Sequence, residues 1–373
     1  MTLVILLLAV LALAYANGSN DNIKGVATLL GSGTARYRTA LAWGTITTFC
    51  GSLTAALLAG QLLERFSGKG LVDSAVVGDP RYTGAVALGA GLTVLVATRT
   101  GMPISTTHSL IGALVGAGWA AGSTVNYHQL GSGYFAPLLA SPMVAIAATA
   151  AAYPVFRWGR QRLGVTEQTC LCVGNETVQV VSGLTPVLVA RRAQQLTATW
   201  GDTVSCERRY EGRLLGLDVA RALDRLHYVS AGAVSYARGL NDTPKIAALL
   251  MVAAPLRHGQ PLLLAGLVGA AMAVGAVLSA RRVAETMSDR ITVMNHGQGF
   301  TANLFTAVIV LGASRVGMPV STTHVSCGAL FGIGSVTRQG NLAMIAGIAA
   351  AWLATLPAGA ALGALCYWLV SMI

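Results

Sequence analysis

Apolar runs at residues 3–16, 40–60, 85–98, 135–156, 262–280 and 342–368 punctuate the chain, and a polar stretch separates the first four from the last two. A hydrocarbon core of about 30 Å takes about 20 apolar residues in helical form, so these runs read as membrane spans. Together with the mixed apolar segments between them they predict roughly 10–12 membrane segments of an all-α polytopic membrane protein. The opening "MTLVILLLAVLALAYANG" has no basic residue ahead of its apolar run and is followed by many spans. It therefore reads as a retained first transmembrane segment rather than a cleaved leader.

Composition supports this class. Of 373 residues 54% are hydrophobic and 10% charged, against about 25% charged in an ordinary soluble domain. Most of the 44 glycines lie within the apolar segments, as close helix packing in lipid favours. The formal charge of +11 does not call for nucleic acid, because basic residues in loops at membrane ends set orientation. Residues 157–225 carry ten Arg against seven acidic residues, which places that stretch on the cytoplasmic side. Within it "ETVQVV" is β-prone and "LLGLDVARALDRLHY" helix-like, together a small subdomain or ordered loop. Cys170, Cys172 and Cys206 fall there without the CxxC spacing or nearby His of a metal site, and neither metal nor cofactor is expected.

The chain repeats itself. "YANGSNDNIKGVATLL" from Tyr15 returns as "YARGLNDTPKIAALL" from Tyr236, and "GMPISTTH" from Gly101 returns as "GMPVSTTH" from Gly317. Arg99 and Arg315 match as well, each four residues before the Pro. Residues 1–156 and 226–373 are thus two homologous transmembrane repeats joined by the insert 157–225. Paired motifs in two halves are the mark of transporters that build their site at the repeat interface from discontinuous helices.

Both motifs place polar chemistry in apolar surroundings. At 17–21 and 239–242 the Gly-x-Asn-Asp strings favour turns over helix interiors, so a broken helix is expected at each, with Gly18 permitting unusual backbone angles and Pro244 reinforcing the second break. Asp21 and Asp242 are ionisable groups inside membrane segments, functional candidates by default. Lys24 and Lys245 follow three residues later on the same helix face, where a purely structural Asp–Lys pair is the plainer alternative. Pro103 and Pro319 suit a first helical turn. Ser105, Thr106, Thr107, Ser321, Thr322 and Thr323 then supply hydroxyls, and His108 and His324 imidazoles, at two helix N-termini whose amides attract anions. The alternative is that these hydroxyls only cap a hairpin and the two His bond to backbone carbonyls. The assembled set suits a small tetrahedral oxyanion: hydroxyl, amide and ammonium donors, with carboxylates to hold a proton or cation.

These motifs resemble the inorganic phosphate transporter (PiT) family. Gly18–Asp21 and Gly239–Asp242 are similar to its duplicated GAND signature, the two STTH segments to its Pro-Val-Ser-Thr-Thr-His segments, and "RRVAETMSDRIT" followed by "GFTANL" to its second half. The resemblance covers both repeats and leaves out the insert. It implies an inverted-repeat helical bundle with helical hairpins in the inner cell membrane, and uptake of inorganic phosphate coupled to sodium or protons. A homodimer is compatible with it. By position Asn20, Asp21, Asn241 and Asp242 match the Asn-Asp pairs. Two departures bear on mechanism. The family's GANDVAN has a second Asn where this chain has Lys24 and Lys245, and its GFxAEL has a Glu where this chain has Asn303. An ammonium at a former cation-ligand position replaces a sodium ion in this reading, leaving protons on Asp21 or Asp242 to drive transport. Phosphate is preferred because it donates a hydrogen bond to a retained carboxylate; sulfate, also carried within the family, and an anion channel are the alternatives. A Ser–His hydrolase is disfavoured, since a catalytic dyad needs no second copy.

Overall fold

The structure, a computed structural model, describes residues 3–166, 169–181, 190–202, 214–253 and 260–372. Ten of its helices are fifteen residues or longer. In the first half these are α1 (Leu3–Asp21), α2 (Tyr37–Leu58), α3 (Pro80–Thr100), α4 (Thr106–Ala120) and α5 (Ala136–Arg162). In the second half they are α6 (Val219–Ala253), α7 (Gln260–Ser279), α8 (His296–Arg315), α9 (Thr322–Thr337) and α10 (Leu342–Ser371). Among the described residues six segments are long and apolar enough to span a bilayer: Leu3–Gly25, Tyr37–Leu58, Pro80–Thr100, Gln129–Arg162, Pro261–Ser279 and Leu342–Ser371. Each overlaps one of the six apolar runs. The helices that carry most of the motif residues, α4, α6, α8 and α9, fall outside this set.

The chain divides into two compact units, Met1–Tyr153 with His227–Ile373, and Pro154–Leu226. The larger is helical and, unlike a water-soluble protein, exposes large apolar side chains along its spans while burying charged ones. Leu3, Val4, Leu8, Ile46, Leu57, Leu58 and Leu353 are exposed on its spans, whereas Asn17, Asp21, Lys24, Arg238, Asp242 and Lys245 are buried. Apolar side chains face lipid, and polar ones face each other, because a polar group in hydrocarbon without a partner costs several kcal/mol, on the order of 2–7.

Helices of opposite repeats pack against each other through glycine. A Cβ on Gly18 of α1 would collide with the Met272 carbonyl of α7, and one on Gly275 of α7 with the Tyr15 carbonyl of α1. In a second such pair, Gly239 of α6 meets the Thr48 carbonyl of α2, and Gly51 of α2 meets the Tyr236 carbonyl of α6. The same exchange joins α4 to α10, with Gly112 and Gly116 on Leu356 and Ala360, and α9 to α5, with Gly328 and Gly332 on Pro142 and Ile146. Such reciprocal contacts are what a two-fold relation between repeats produces, and the bare glycines permit the backbone approach.

The smaller unit adds strands beside the all-α membrane part. It contains an antiparallel sheet of order β2-β1-β3, with β1 Thr169–Val181, β2 Ala190–Asp202 and β3 Leu214–Asp218. Pairing runs from Thr169 opposite Asp202 to Val181 opposite Ala190, and Cys170 also lies opposite Asp218. "ETVQVV" belongs to β1, but the first five residues of "LLGLDVARALDRLHY" form β3, and helix starts only at Val219. The free edge of β1 takes up that leucine-rich stretch. Cys170 and Cys172 lie on β1; Cys206 is outside the described residues.

Candidate functional site

The repeated GMP(I/V)STTH phrase is a helix-to-helix corner. Gly101 ends α3 in the left-handed conformation, φ 73°, with its N–H on the Ala97 and Thr98 carbonyls, and Met102 N–H returns to Ala97. Only glycine adopts that angle without strain. Ser105 then caps α4, its Oγ accepting the His108 N–H at 3.2 Å. The second copy repeats this at Gly317, φ 65°, and at Ser321, whose Oγ accepts the His324 N–H at 3.2 Å. Pro103 therefore lies ahead of the N-cap rather than in the first helical turn, and Pro319 likewise. A serine cap lets the helix start three residues later, and the proline holds the linker between the two helices extended.

The two Asn-Asp motifs differ more than their sequences do. α1 ends at Asp21 and passes through a 3-10 turn, Asn22–Gly25, into a short helix at Ala27–Gly31. This is the expected break. In the second repeat α6 runs unbroken from Val219 to Ala253 through Gly239–Asp242, with Pro244 inside it. The proline removes one backbone hydrogen bond. Asn241 and Asp242 do not compete for the backbone because neighbours hold their side chains: Asn241 Nδ2 donates to the Val320 carbonyl at 3.3 Å and Ser314 Oγ donates to Asn241 Oδ1 at 3.2 Å. Gly18 is likewise helical, and it serves close packing on α7 rather than an unusual backbone angle.

Both lysines turn inward, and each ends in a cage of oxygens. Lys24 Nζ donates to Asn20 Oδ1 at 2.7 Å, the Ile104 carbonyl at 2.8 Å, Thr323 Oγ1 at 2.7 Å and the Asp21 carboxylate. Lys245 Nζ donates to the Val320 carbonyl at 2.9 Å, Thr107 Oγ1 at 2.9 Å and Asp242 Oδ1 at 3.3 Å, and lies 5.4 Å over the Phe66 ring. The pattern is symmetric: each ammonium takes a carbonyl from its own repeat's corner and a threonine hydroxyl from the other's.

The carboxylates are less alike. Asp21 Oδ2 accepts from Thr106 Oγ1 at 2.8 Å and Asn17 Nδ2 at 2.9 Å, and Oδ1 from Thr323 Oγ1 at 3.1 Å besides Lys24. Asp242 Oδ1 also accepts from Asn241 Nδ2 at 3.2 Å, while among the described residues Oδ2 has only Asn17 Nδ2 at 3.4 Å. Asn17 thus bridges the two aspartates.

The structure therefore gathers Asn20, Asp21, Lys24, Thr106, Thr107, Asn241, Asp242, Lys245 and Thr323 into one buried network. Ser105 and Ser321 act as caps, and Thr322 is buried in the first turn of α9. The His108 and His324 rings meet edge to face at 4.4 Å, one from each repeat, and their Nδ1 atoms lie 3.2 Å and 3.4 Å from the Trp352 and Leu138 carbonyls. Those carbonyl bonds match the plainer alternative. Asn303 is buried on α8 with Nδ2 unpartnered.

Sequence reasoning missed Asn17 and Arg238. They occupy the first of the two variable positions of Tyr-Ala-x-Gly-x-Asn-Asp, one per repeat. An arginine inside an apolar helix was visible by the same rule that singled out Asp21. Arg238 is fully buried, with Nη1 3.7 Å from Asp21 Oδ1.

Comparison with known proteins decides the family. A model of the phosphate transporter family matches residues 17–363. The chain belongs to that family. Similar proteins include the "Putative phosphate permease" of Pyrococcus abyssi, 28% identical over 99% of this chain and 98% of its own. The "Probable low-affinity inorganic phosphate transporter" of Rhizobium meliloti is 27% identical over 96% and 93%. A solved structure titled "The sodium-dependent phosphate transporter" superposes with a TM-score of 0.75 over 100% of this chain and 99% of its own, at 19% identity, and so shares the fold. This family member is an integral membrane protein of several apolar spans.

Proposed function

We propose that this protein is a secondary active transporter that takes up inorganic phosphate across the cell membrane, with protons rather than sodium as the coupling ion. The names of its relatives support the substrate. The observation that carries the coupling is the pair of oxygen cages filled by Lys24 and Lys245. Carbonyl, carboxylate and hydroxyl oxygens around one point are the ligand set of a hard cation, and here an ammonium of this chain occupies each set. A fixed positive charge leaves no reason to recruit a sodium ion.

The proton then belongs on a carboxylate. An ionised carboxylate offers about four lone-pair sites. Protonating Asp21 turns away a donor at either oxygen, whereas a proton on Asp242 Oδ2 displaces only the 3.4 Å contact from Asn17. Asp242 is thus the coupling residue, and Asp21 holds the cations of the site in place. The threonines of the two corners, with the two lysines, orient the anion between the repeats.

The test is uptake of labelled phosphate into proteoliposomes under an imposed pH gradient or sodium gradient. Uptake driven by the pH gradient in sodium-free buffer is expected. Uptake that starts only on adding sodium sinks the coupling, and a protein that accumulates sulfate but not phosphate sinks the substrate.

A further inference from the structure

The two repeats carry different residues at one position, Asn17 in the first and Arg238 in the second, and both are left with unused hydrogen-bonding capacity in the interior. Among the described residues, Arg238 Nε, Nη1 and Nη2 all lack a hydrogen-bond partner although the side chain is fully buried. Its nearest counter-charge, Asp21 Oδ1 at 3.7 Å, already accepts from Lys24 and Thr323. An arginine presents five N–H donors in a planar fork shaped for two oxygens of one oxyanion. Leaving such a fork unpaired in a protein interior is strongly unfavourable. Charge makes the same demand: among the described residues Lys24, Lys245 and Arg238 pair with Asp21 and Asp242, three cations against two anions.

Asn17 is the complement. Its Nδ2 serves Asp21 Oδ2 at 2.9 Å, Thr106 Oγ1 at 3.1 Å and Asp242 Oδ2 at 3.4 Å. Since a carboxylate accepts only from a donor, the amide cannot be turned round, and its Oδ1 remains a buried acceptor without a partner. Asn17 lies on Oδ2 of the Asp21 carboxylate and Arg238 on the side of Oδ1, so one group separates an unused acceptor from an unused fork of donors.

We infer that Asn17 and Arg238 form a two-sided recognition site for a protonated tetrahedral oxyanion, Arg238 gripping two unprotonated oxygens and Asn17 Oδ1 accepting the hydroxyl proton. The inference rests on the phosphate reading and sharpens it. Hydrogen phosphate and arsenate have such a proton at neutral pH; sulfate has none, and would set an oxygen against the Asn17 acceptor. A site built to bond a substrate hydroxyl rejects the analogue that lacks it. Selectivity thus arises from the single position at which the two repeats diverge in the Tyr-Ala-x-Gly motif.

The purified full-length protein, titrated with phosphate, arsenate and sulfate by calorimetry and by thermal shift, tests this. Wild type is expected to bind phosphate and arsenate with similar affinity and sulfate at least tenfold more weakly. Arg238→Met should weaken phosphate at least tenfold and erase its thermal shift, while the ligand-free protein melts no lower than wild type, because a buried guanidinium whose N–H groups make no hydrogen bond has been removed. Arg238→Lys should recover part of the affinity. Arg238→Met that binds phosphate within threefold of wild type overturns the inference, as does a large fall in its ligand-free melting point that Arg238→Lys repairs without restoring binding. Sulfate binding equal to phosphate in wild type overturns the Asn17 half. A wild-type protein that binds none of the three overturns the phosphate reading itself, an outcome distinct from all of these.

Discussion

Asp21 holds the centre of the network together, and replacing it with Asn shows how much. In either amide orientation an NH2 group faces donors: Asn17 Nδ2 and Thr106 Oγ1 on one side, or Lys24 and Thr323 Oγ1 on the other. The threonines can rotate to accept; Lys24 cannot. Lys24 and Arg238, both without solvent exposure on their side chains, lose the carboxylate they share. Removing one partner of a buried pair costs about 3–5 kcal/mol, most of it from the charge left behind. Lys24→Met should cost a similar amount for the opposite reason, since it strips the most intimate donor from Asp21. The double variant removes both charges together and should be less destabilised than the sum by at least about 2 kcal/mol, near the upper end of measured couplings between contacting residues. The assay is equilibrium unfolding in mixed detergent–SDS micelles, followed by tryptophan fluorescence for wild type, both single variants and the double. A coupling below about 0.5 kcal/mol would refute the reasoning, because the two groups would then be acting independently despite direct contact.

Replacing both caged ammonium groups, Lys24→Asn with Lys245→Asn, should convert pH-driven phosphate uptake into uptake that rises with sodium, read in the same proteoliposomes; unchanged ion dependence would break the charge-replacement argument. Asp242→Asn should abolish accumulation against a gradient and leave phosphate–phosphate exchange measurable, which counterflow assays check. Gly18→Ala places a Cβ against the Met272 carbonyl of α7 and should cost about 1–3 kcal/mol, while Gly312→Ala on α8, with open space around it, should be neutral or stabilising by about 0.5–1 kcal/mol; thermal melts separate the two. Outside the membrane segments, Asp73 accepts from Thr124 N–H at 2.9 Å, Thr124 Oγ1 at 2.8 Å and Ser123 Oγ at 3.0 Å, and these bonds, the Thr124 N–H first, hold its carboxyl below the ordinary 3.8. Its contribution is complete above that ordinary value and disappears as pH falls through the lower folded one, so the melting difference between wild type and Asp73→Asn should close in strong acid.

The linear pattern showed the class, the six apolar spans, the repeated motifs and several of the polar residues that the structure gathers, though not Asn17 or Arg238. These are legible because a span needs a run of apolar residues, and because a charged or amide side chain inside such a run has to be answered by another. The GMP(I/V)STTH phrase could likewise be assigned to a helix start, although its cap is Ser105 or Ser321 and the prolines lie ahead of it. Matching motifs did not imply matching backbones. Gly-x-Asn-Asp ends a helix at Asp21 and continues one at Asp242, because Ser314 and the Val320 carbonyl hold Asn241 from other helices. Nor does local sequence say that Gly18 is needed by Met272, or that Leu214–Asp218 is claimed by the edge of a strand. Lys24 and Asp21 lie three residues apart in the chain, but the oxygens that complete the lysine's cage come from Ile104 and Thr323. Only tertiary structure brings those groups to one point. It alone reveals that, of two residues at one repeated position, Asn17 ties the aspartates together while Arg238 keeps its donors unused.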